Sequence, residues 1–347
     1  VRLGIIARSD NTGLGNQTKE LVDMLKPDKI LLIDSSPFNG NAQHPEWYSA
    51  YNCITTKNGM ASKEEIYSFL DGIDIVFSCE IFYNPLFIPM AKKRKVKTIL
   101  QYNYEFLENV SKLDDPLPDI LLAPSVWNLE KIVKLFSEQT IVKHLPPPTD
   151  ATLFESVRVN NMSKNHNRLL HIGGRKAARD RNGTETVIEM LKYSTTDYEL
   201  VIKTQTPLEI KCNDPRLTID TGNPENREEM YDGYDAMILP RRYAGLCLPM
   251  NEALISGMPV FMTNVMPNNA VLPREWLFNA KKVDQFRAKS MIDIHDGNPR
   301  HLAQLIDNYM ETKERSNIKQ QALKIGLENF STDVLRPKYL ELLNQFS

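Results

Sequence analysis

Residues Arg241–Val260 read RRYAGLCLPMNEALISGMPV. Pro240 closes an apolar run, so the stretch begins as the loop after a strand. Gly245-Leu246-Cys247-Leu248-Pro249 continues that loop, and Pro249 suits the start of a helix, where its missing N–H costs nothing. A helix is expected over Met250–Ser256 and a strand over Pro259–Thr263. Strand, loop, helix and strand in so short a span make one step of a parallel α/β sheet. The start of such a helix favours an anion, through free N–H groups and the positive end of its dipole. Glu252 is placed on the first turns, and two readings stand for it. A carboxylate there stabilises the helix by roughly 0.3–1 kcal/mol. It is equally suited to accept hydrogen bonds from the hydroxyls of a ribose. Eight residues before it, where a second acid would complete a pair, stands Ala244.

The same alternation extends outward in both directions. In the first half, strands are expected at Arg2–Ala7, Lys29–Ile33, Ile73–Ser78, Thr98–Gln101 and Ile120–Ala123. Helices are expected between them at Gln17–Leu25, Lys63–Leu70, Pro85–Lys93 and Trp127–Phe136. The strands are apolar nearly throughout, as strands covered by helices on both faces should be. HLPPPTD (His144–Asp150) then denies the chain a helix and marks a domain boundary. VNNMSKNHN (Val159–Asn167) reads as a loop. Strands resume at Arg168–Ile172, Glu199–Thr204, Leu217–Asp220, Ala236–Leu239 and Pro259–Thr263. Helices are expected at Thr184–Lys192, Arg227–Tyr231, Met250–Ser256, Arg300–Thr312 and Val334–Gln345. The fold class is therefore α/β, with two Rossmann-like domains over 1–146 and 147–330 and a terminal helix over 331–347. Two such halves on one stiff linker imply a cleft, with ligands at the carboxyl ends of the strands.

At 347 residues the chain exceeds what one core usually fills, which agrees with two domains. A net charge of −2 gives no global basic field to draw in nucleic acid. The cysteines, Cys53, Cys79, Cys212 and Cys247, lie far apart without a C-x-x-C pair, so reduced thiols in a cytoplasm are expected. The opening VRLGIIA reads as a strand, and no run of apolar residues is long enough for a membrane span. His44, His166 and His295 show no metal-ligand spacing and no D-x-D motif occurs, so no metal or resident cofactor is expected.

Two further loops follow strands. In ARSDNTGLGNQTKEL (Ala7–Leu21), Gly13, Leu14 and Gly15 lead into a helix, and glycines let backbone N–H groups approach a ligand. The third glycine of a dinucleotide fingerprint is replaced by Thr18, and no G-K-[ST] is present. A tight turn and a ligand contact are both open here. In LLHIGGRKAARDRNGTETVIEML (Leu169–Leu191), Gly173-Gly174 is followed by Arg175, Lys176, Arg179 and Arg181. These cations repel one another unless water or an anion relieves them, and arginine suits forked contact with phosphate. A solvated basic loop is the alternative. In the first half, Glu80 (FSCEIFYNP) and Asn103 and Glu105 (LQYNYEFL) follow strands, and their alternative role is capping. Tyr102 and Tyr104 offer flat faces for stacking, or simply bulk for the core. AKKRKVK (Ala91–Lys97) is the solvated end of a helix or a contact for an acidic acceptor.

From Pro240 to Val260 the chain resembles retaining glycosyltransferases of the GT-B fold, the family-4 kind, whose motif runs P-S-x-x-E-G-F-G-L-P-x-x-E-A-x-x-x-G-x-P-V. Pro240, Gly245, Leu248, Pro249, Glu252, Ala253, Gly257, Pro259 and Val260 match it in register. Gly174-Arg175 and Arg181-Asn182-Gly183 are similar to the family's G-R…K-G donor motif. Pro147-Pro148-Thr149-Asp150 through Phe154 resembles its interdomain segment, and NFSTDVLRPKYLELL its helix crossing back to the first domain. GIIARSDNTGLGNQT, FSCEIFYNP, LQYNYEFL and RDRNGT further resemble glycosyltransferases encoded by tailed bacteriophages.

The resemblance implies a hexosyltransferase using a nucleotide diphospho-sugar, a UDP-sugar ahead of a GDP-sugar, and the lack of metal-ligand spacing makes it metal-independent. It implies that Arg175 and Arg181 bind the diphosphate, helped by Gly174, Gly245 and the N–H groups of Leu246, Cys247 and Leu248. Glu252 would hold the ribose, and Gly13, Leu14 and Gly15 would lie under the phosphate and sugar. The first domain would serve the acceptor, and their places after strands let Glu80 and Glu105 orient acceptor hydroxyls or the donor sugar, with Tyr102 and Asn103 beside them. Ala244 departs from the family's first glutamate, which contacts the donor sugar, so Arg242 and Tyr243 are the candidates for an altered sugar pocket. A phage virion protein is the acceptor the resemblance suggests. The alternatives are a modified DNA base as acceptor, or a nucleotide-sugar-binding protein that transfers nothing.

Overall fold

The computed structural model describes residues 1–107, 117–174, 179–209, 212–243 and 245–346. Arg175 and Ala244 lie outside the described residues. The chain divides into two compact units, residues 1–148 with 332–347, and residues 149–331.

The first unit holds β1 (Leu3–Arg8), β2 (Lys29–Ile33), β3 (Cys53–Thr55), β4 (Ile75–Cys79), β5 (Lys97–Gln101), β6 (Ile120–Ala123) and β7 (Ile141–His144). They form one parallel sheet in the order β3-β2-β1-β4-β5-β6-β7. β4 and β6 are buried along their whole length, which is why their sequences are apolar without alternation. The strand order reverses at β1 and β4, so the loops after these strands flank the sheet's switch point. The helix Thr332–Asn344 belongs to this unit. Its Tyr339 is fully buried, donates to the Pro146 carbonyl at 2.9 Å and accepts from Gln101 Nε2 at 3.0 Å. Gln101 is held in turn by Gln17, whose amide donates to it at 2.6 Å, so one buried network ties the terminal helix to the sheet.

The second unit holds β8 (Arg168–Gly174), β9 (Glu199–Thr204), β10 (Leu217–Thr221), β11 (Ala236–Leu239), β12 (Val260–Thr263) and β13 (Leu277–Phe278). They form a parallel sheet in the order β10-β9-β8-β11-β12-β13, with its switch point between β8 and β11. Beyond it, β14 (Ala280–Arg287) and β15 (Met291–Gly297) pair antiparallel as a two-stranded ribbon, which the sequence reading did not anticipate. β14 is exposed on both faces apart from half-buried Ala280 and Phe286, so it carries no alternation to read.

Two expectations in this unit are corrected. The polar stretch VNNMSKNHN is not all loop, because the helix Glu155–Ser163 covers its first residues. Asn161 is buried there and fully employed. Its amide donates to the carbonyls of Tyr231 and Ser256, and its oxygen accepts from the N–H groups of Gly233 and Tyr234. Tertiary partners thus outweigh the low helix propensity of asparagine. A helix over Arg315–Phe330 was also unforeseen. Its Lys319 is 2% exposed and donates to Asp235 at 2.6 Å, a buried charge pair completed by the N–H groups of His166 and Asn167 on the carboxylate. Among the described residues no helix is long and apolar enough to cross a membrane.

Candidate functional site

The turns after β8 and β11 meet in the second unit. Gly183 has a φ of +71°, and a Cβ there would lie 2.2 Å from the Pro240 carbonyl oxygen. Only glycine fits, and the backbone of the arginine-rich turn therefore rests directly on the end of β11. The Arg242 N–H donates to the Arg181 carbonyl at 3.0 Å, joining the turns a second time.

The helix after the first of these turns, Thr184–Met190, is not open to an anion. Asp180 accepts from the N–H groups of Thr184 and Glu185, both at 2.9 Å, and so occupies its N-terminus. His171 steadies the same corner. Its Nδ1 lies 2.8 Å from the Ile238 carbonyl and its Nε2 2.9 Å from Thr184 Oγ1. A carbonyl can only accept, so Nδ1 carries the proton and Nε2 accepts from the threonine. Burial holds this imidazole below its ordinary pKa, against the bond to Ile238, and keeps it neutral.

The helix after β11 differs. It spans Leu248–Ile255, two residues earlier than expected, with Pro249 in its first turn and no side chain among the described residues capping its first N–H groups. Glu252 accordingly lies beyond the first turn, which corrects the dipole reading of this residue. Its carboxylate is buried instead against Arg227 and Tyr231 of the 3-10 turn Arg227–Tyr231. Arg227 Nε donates to Oε1 at 3.0 Å, its Nη2 donates to the same oxygen, and the Tyr231 hydroxyl donates to Oε2. Burial and the adjacent carboxylate push the Tyr231 phenol well above its ordinary pKa, so it remains a donor.

The ribbon meets both turns. Tyr243 and Phe286 contact edge to face with centroids 5.1 Å apart. The Arg179 guanidinium stands 4.5 Å from the Phe286 ring centre, and that of Arg181 5.7 Å from Tyr243. Arg242 donates from Nε to Asp296 at 2.8 Å and from Nη1 to the Arg179 carbonyl. The His295 N–H donates to the Arg242 carbonyl at 3.0 Å. Arg242, read from sequence as a sugar-pocket residue, is thus engaged with Asp296 and the arginine turn. Beside it Arg241 is buried, with Nη1 donating to the Leu246 carbonyl at 2.9 Å while Nε has no acceptor among the described residues.

In the first unit the turn after β1 is closed on itself. Asp10 is fully buried and accepts from Arg8, from the hydroxyls of Thr12 and Ser35 at 2.6 Å each, and from Asn39 at 2.8 Å. Burial alone would raise this carboxyl, but the bonds from Ser35, Thr12, Arg8 and Asn39 outweigh it and hold the pKa at about 2. The helix Gly13–Leu25 starts four residues before its expected beginning and includes Gly13, Leu14 and Gly15. Thr12 caps it by accepting from the Gly15 N–H at 3.2 Å. Glu80, after β4, has a φ of +63° and accepts from Asn103 Nδ2 at 3.4 Å. A non-glycine residue in that region is strained, and such positions cluster at functional sites. Asn103 also accepts from the Glu105 N–H at 3.3 Å. Tyr102 and Tyr104 are buried, the latter against Trp127 with its hydroxyl accepting from Lys131, so neither offers a flat face. In AKKRKVK, Lys92 and Lys93 form the exposed end of the helix Phe87–Lys93, and Lys97 pairs with Asp119 at 3.0 Å.

No protein-family model and no curated protein matches the sequence. Solved structures do. HepE of Anabaena in complex with UDP and glucose superposes with a TM-score of 0.68 at 11% identity, over 99% of each chain. A glycosyltransferase of Rickettsia africae gives 0.69 at 12% identity, over 99% of this chain and 98% of that one. Sucrose-phosphate synthase of Thermosynechococcus elongatus gives 0.65 at 11%, again over 99% and 98%. Both sheets, seven-stranded and six-stranded, are parallel, as in these α/β glycosyltransferase structures. The chain has the GT-B fold. At such identities the likeness carries the architecture and no residue's role.

For this GT-B chain the sequence reading missed Phe286, Asp296, Arg227 and Tyr231. MIDIHD did hold a signal, since Ile292 and Ile294 are buried and Asp293 between them is exposed. Arg227 and Tyr231 gave none, because what brings them to Glu252 is the meeting of two elements distant in sequence.

Proposed function

We propose that the chain is a retaining glycosyltransferase that moves a hexose from a UDP-sugar to a hydroxyl acceptor, without a metal. The observation that carries this reading is the N-terminus at Leu248, which no side chain among the described residues caps, in the turn that meets the arginine-rich turn, whose own helix start is already filled by Asp180. HepE, a structural relative, was solved with UDP and glucose, which supports the choice of donor.

Arg181 and the helix start bind the diphosphate, with Arg175 assigned the same role from sequence. As the bond from the anomeric carbon to the phosphate oxygen breaks, the electron pair leaves with the diphosphate. These cations stabilise that growing charge more in the transition state than in the ground state. The acceptor oxygen attacks from the face of departure, and its proton passes to the leaving diphosphate. Glu252 accepts a ribose hydroxyl with the lone pair on Oε2 left by Arg227 and Tyr231, which fix its orientation. Glu80 and Asn103 orient the acceptor hydroxyl, and the strained backbone at Glu80 supports that assignment. On the resemblance to phage-encoded enzymes, the acceptor proposed is a hydroxyl of a virion protein.

The test is a panel of UDP- and GDP-sugars followed by thermal unfolding and by NMR of the product sugar, with chelator present. A UDP-sugar should raise the melting temperature and be slowly hydrolysed with its anomeric configuration kept. Binding without turnover would establish a non-transferring binder, and no binding at all would overturn the reading. Intact mass of co-expressed virion proteins, rising by one hexose, identifies the acceptor.

A further inference from the structure

We infer that the β14–β15 ribbon is the positioning element of the diphosphate site, and that Phe286 and Asp296 preset Arg179 and Arg181 for phosphate. The inference rests on the donor reading above and assigns it two residues that do not themselves touch the ligand.

The ribbon reaches the arginine turn by two routes. Through side chains, Phe286 faces the Arg179 guanidinium at 4.5 Å and the Tyr243 ring at 5.1 Å, and Tyr243 in turn faces Arg181 at 5.7 Å. Through backbone, Asp296 fixes Arg242, whose Nη1 and N–H reach the carbonyls of Arg179 and Arg181. A ring packed on a guanidinium uses its flat side and not its in-plane N–H fork, which is the edge that meets phosphate oxygens. Arginine otherwise loses much rotamer freedom on binding, so a stacked arginine binds at lower entropic cost. Asp296 adds the charge balance, since Arg242 lies among these cations and takes its carboxylate at 2.7 Å.

Neither residue is needed for the core. Phe286 is half-buried and the Asp296 side chain is 46% exposed. The ribbon is held by its own ladder, Ala280↔Gly297 through Arg287↔Met291, and by the buried Ile292 and Ile294.

Calorimetric titration of UDP and of uridine into the wild type, Phe286→Leu, Phe286→Tyr and Asp296→Asn tests this. UDP affinity should fall about 10-fold in Phe286→Leu and Asp296→Asn, while uridine affinity stays constant and Phe286→Tyr binds as wild type. KM for the UDP-sugar should rise in parallel. In an Arg179→Ala background, Phe286→Leu should have little further effect. Equal losses for UDP and uridine, or an unchanged UDP affinity in folded variants, would overturn the inference. If the wild type binds UDP no more tightly than uridine, the donor reading itself fails and this inference with it.

Discussion

After β1 the chain turns into the helix Gly13–Leu25, and after β11 it turns into the helix Leu248–Ile255. Both turns leave the carboxyl end of a strand at a switch point of a parallel sheet. The first uses its polar groups internally, with Asp10 taking Arg8, Thr12, Ser35 and Asn39, and Thr12 capping the helix. The second has no side chain among the described residues capping its helix, and it stands beside Arg179 and Arg181, which face aromatic rings. The same topology therefore yields a corner closed by a buried carboxylate in one unit and a cationic corner in the other. A glycine-rich turn by itself does not separate these cases. The counter-charges brought to it do.

That contrast can be broken from either side. The largest effect is expected from Gly15→Ala, whose Cβ would lie 1.9 Å from the Asp10 carbonyl oxygen, a backbone atom that cannot swing away. Urea unfolding should show a loss of about 3 kcal/mol. On the other side, Arg181→Ala should lower turnover of a UDP-sugar about 100-fold, near 2.7 kcal/mol of transition-state stabilisation, with unfolding little changed. Unchanged turnover would remove Arg181 from the charge-stabilising role.

Asp10 sharpens the comparison through pH. Its folded pKa of about 2 lies below the ordinary 3.8, so its contribution is complete above pH 4 and disappears as pH falls through 2. The contribution is about 2 kcal/mol. The stability gap between wild type and Asp10→Asn should be constant from pH 7 to about 4 and narrow below it. A gap independent of pH would mean the carboxylate's charge is not what closes the turn. The smallest effect is expected from Tyr231→Phe, which removes one donor from Glu252 and leaves Arg227. A loss of about 1 kcal/mol is expected by thermal unfolding.

Much of the architecture was legible because it is written locally. Every expected strand overlaps an observed one, and all but the mostly exposed β10 are short runs of largely buried apolar residues, which read as strand whatever their neighbours. Among the strands that escaped, β3, β7 and β14 are weakly buried, and at β14 solvent on both faces leaves no pattern. Helix starts were misjudged by a few residues at Gly13 and Leu248, because polar and proline-containing first turns look like loop. Residue roles were less legible. Glu252 is a helix carboxylate in the sequence, and Arg227 and Tyr231, more than twenty residues away, make it a buried ion pair.

The sequence by itself determined two α/β halves, the arginine-rich turn and the helix that follows Pro240. Spacing of apolar residues and the backbone limits of glycine and proline act over a few positions and need no partner to be read. Only the tertiary structure decided which charges are answered. Asp180 fills one helix start, Asp10 closes the first turn, and Asp296 and Phe286 reach the arginines from a ribbon about a hundred residues further on. Charge neutralisation and ring stacking depend on distances of a few ångström between elements, and such distances exist only once the sheets have brought those elements together.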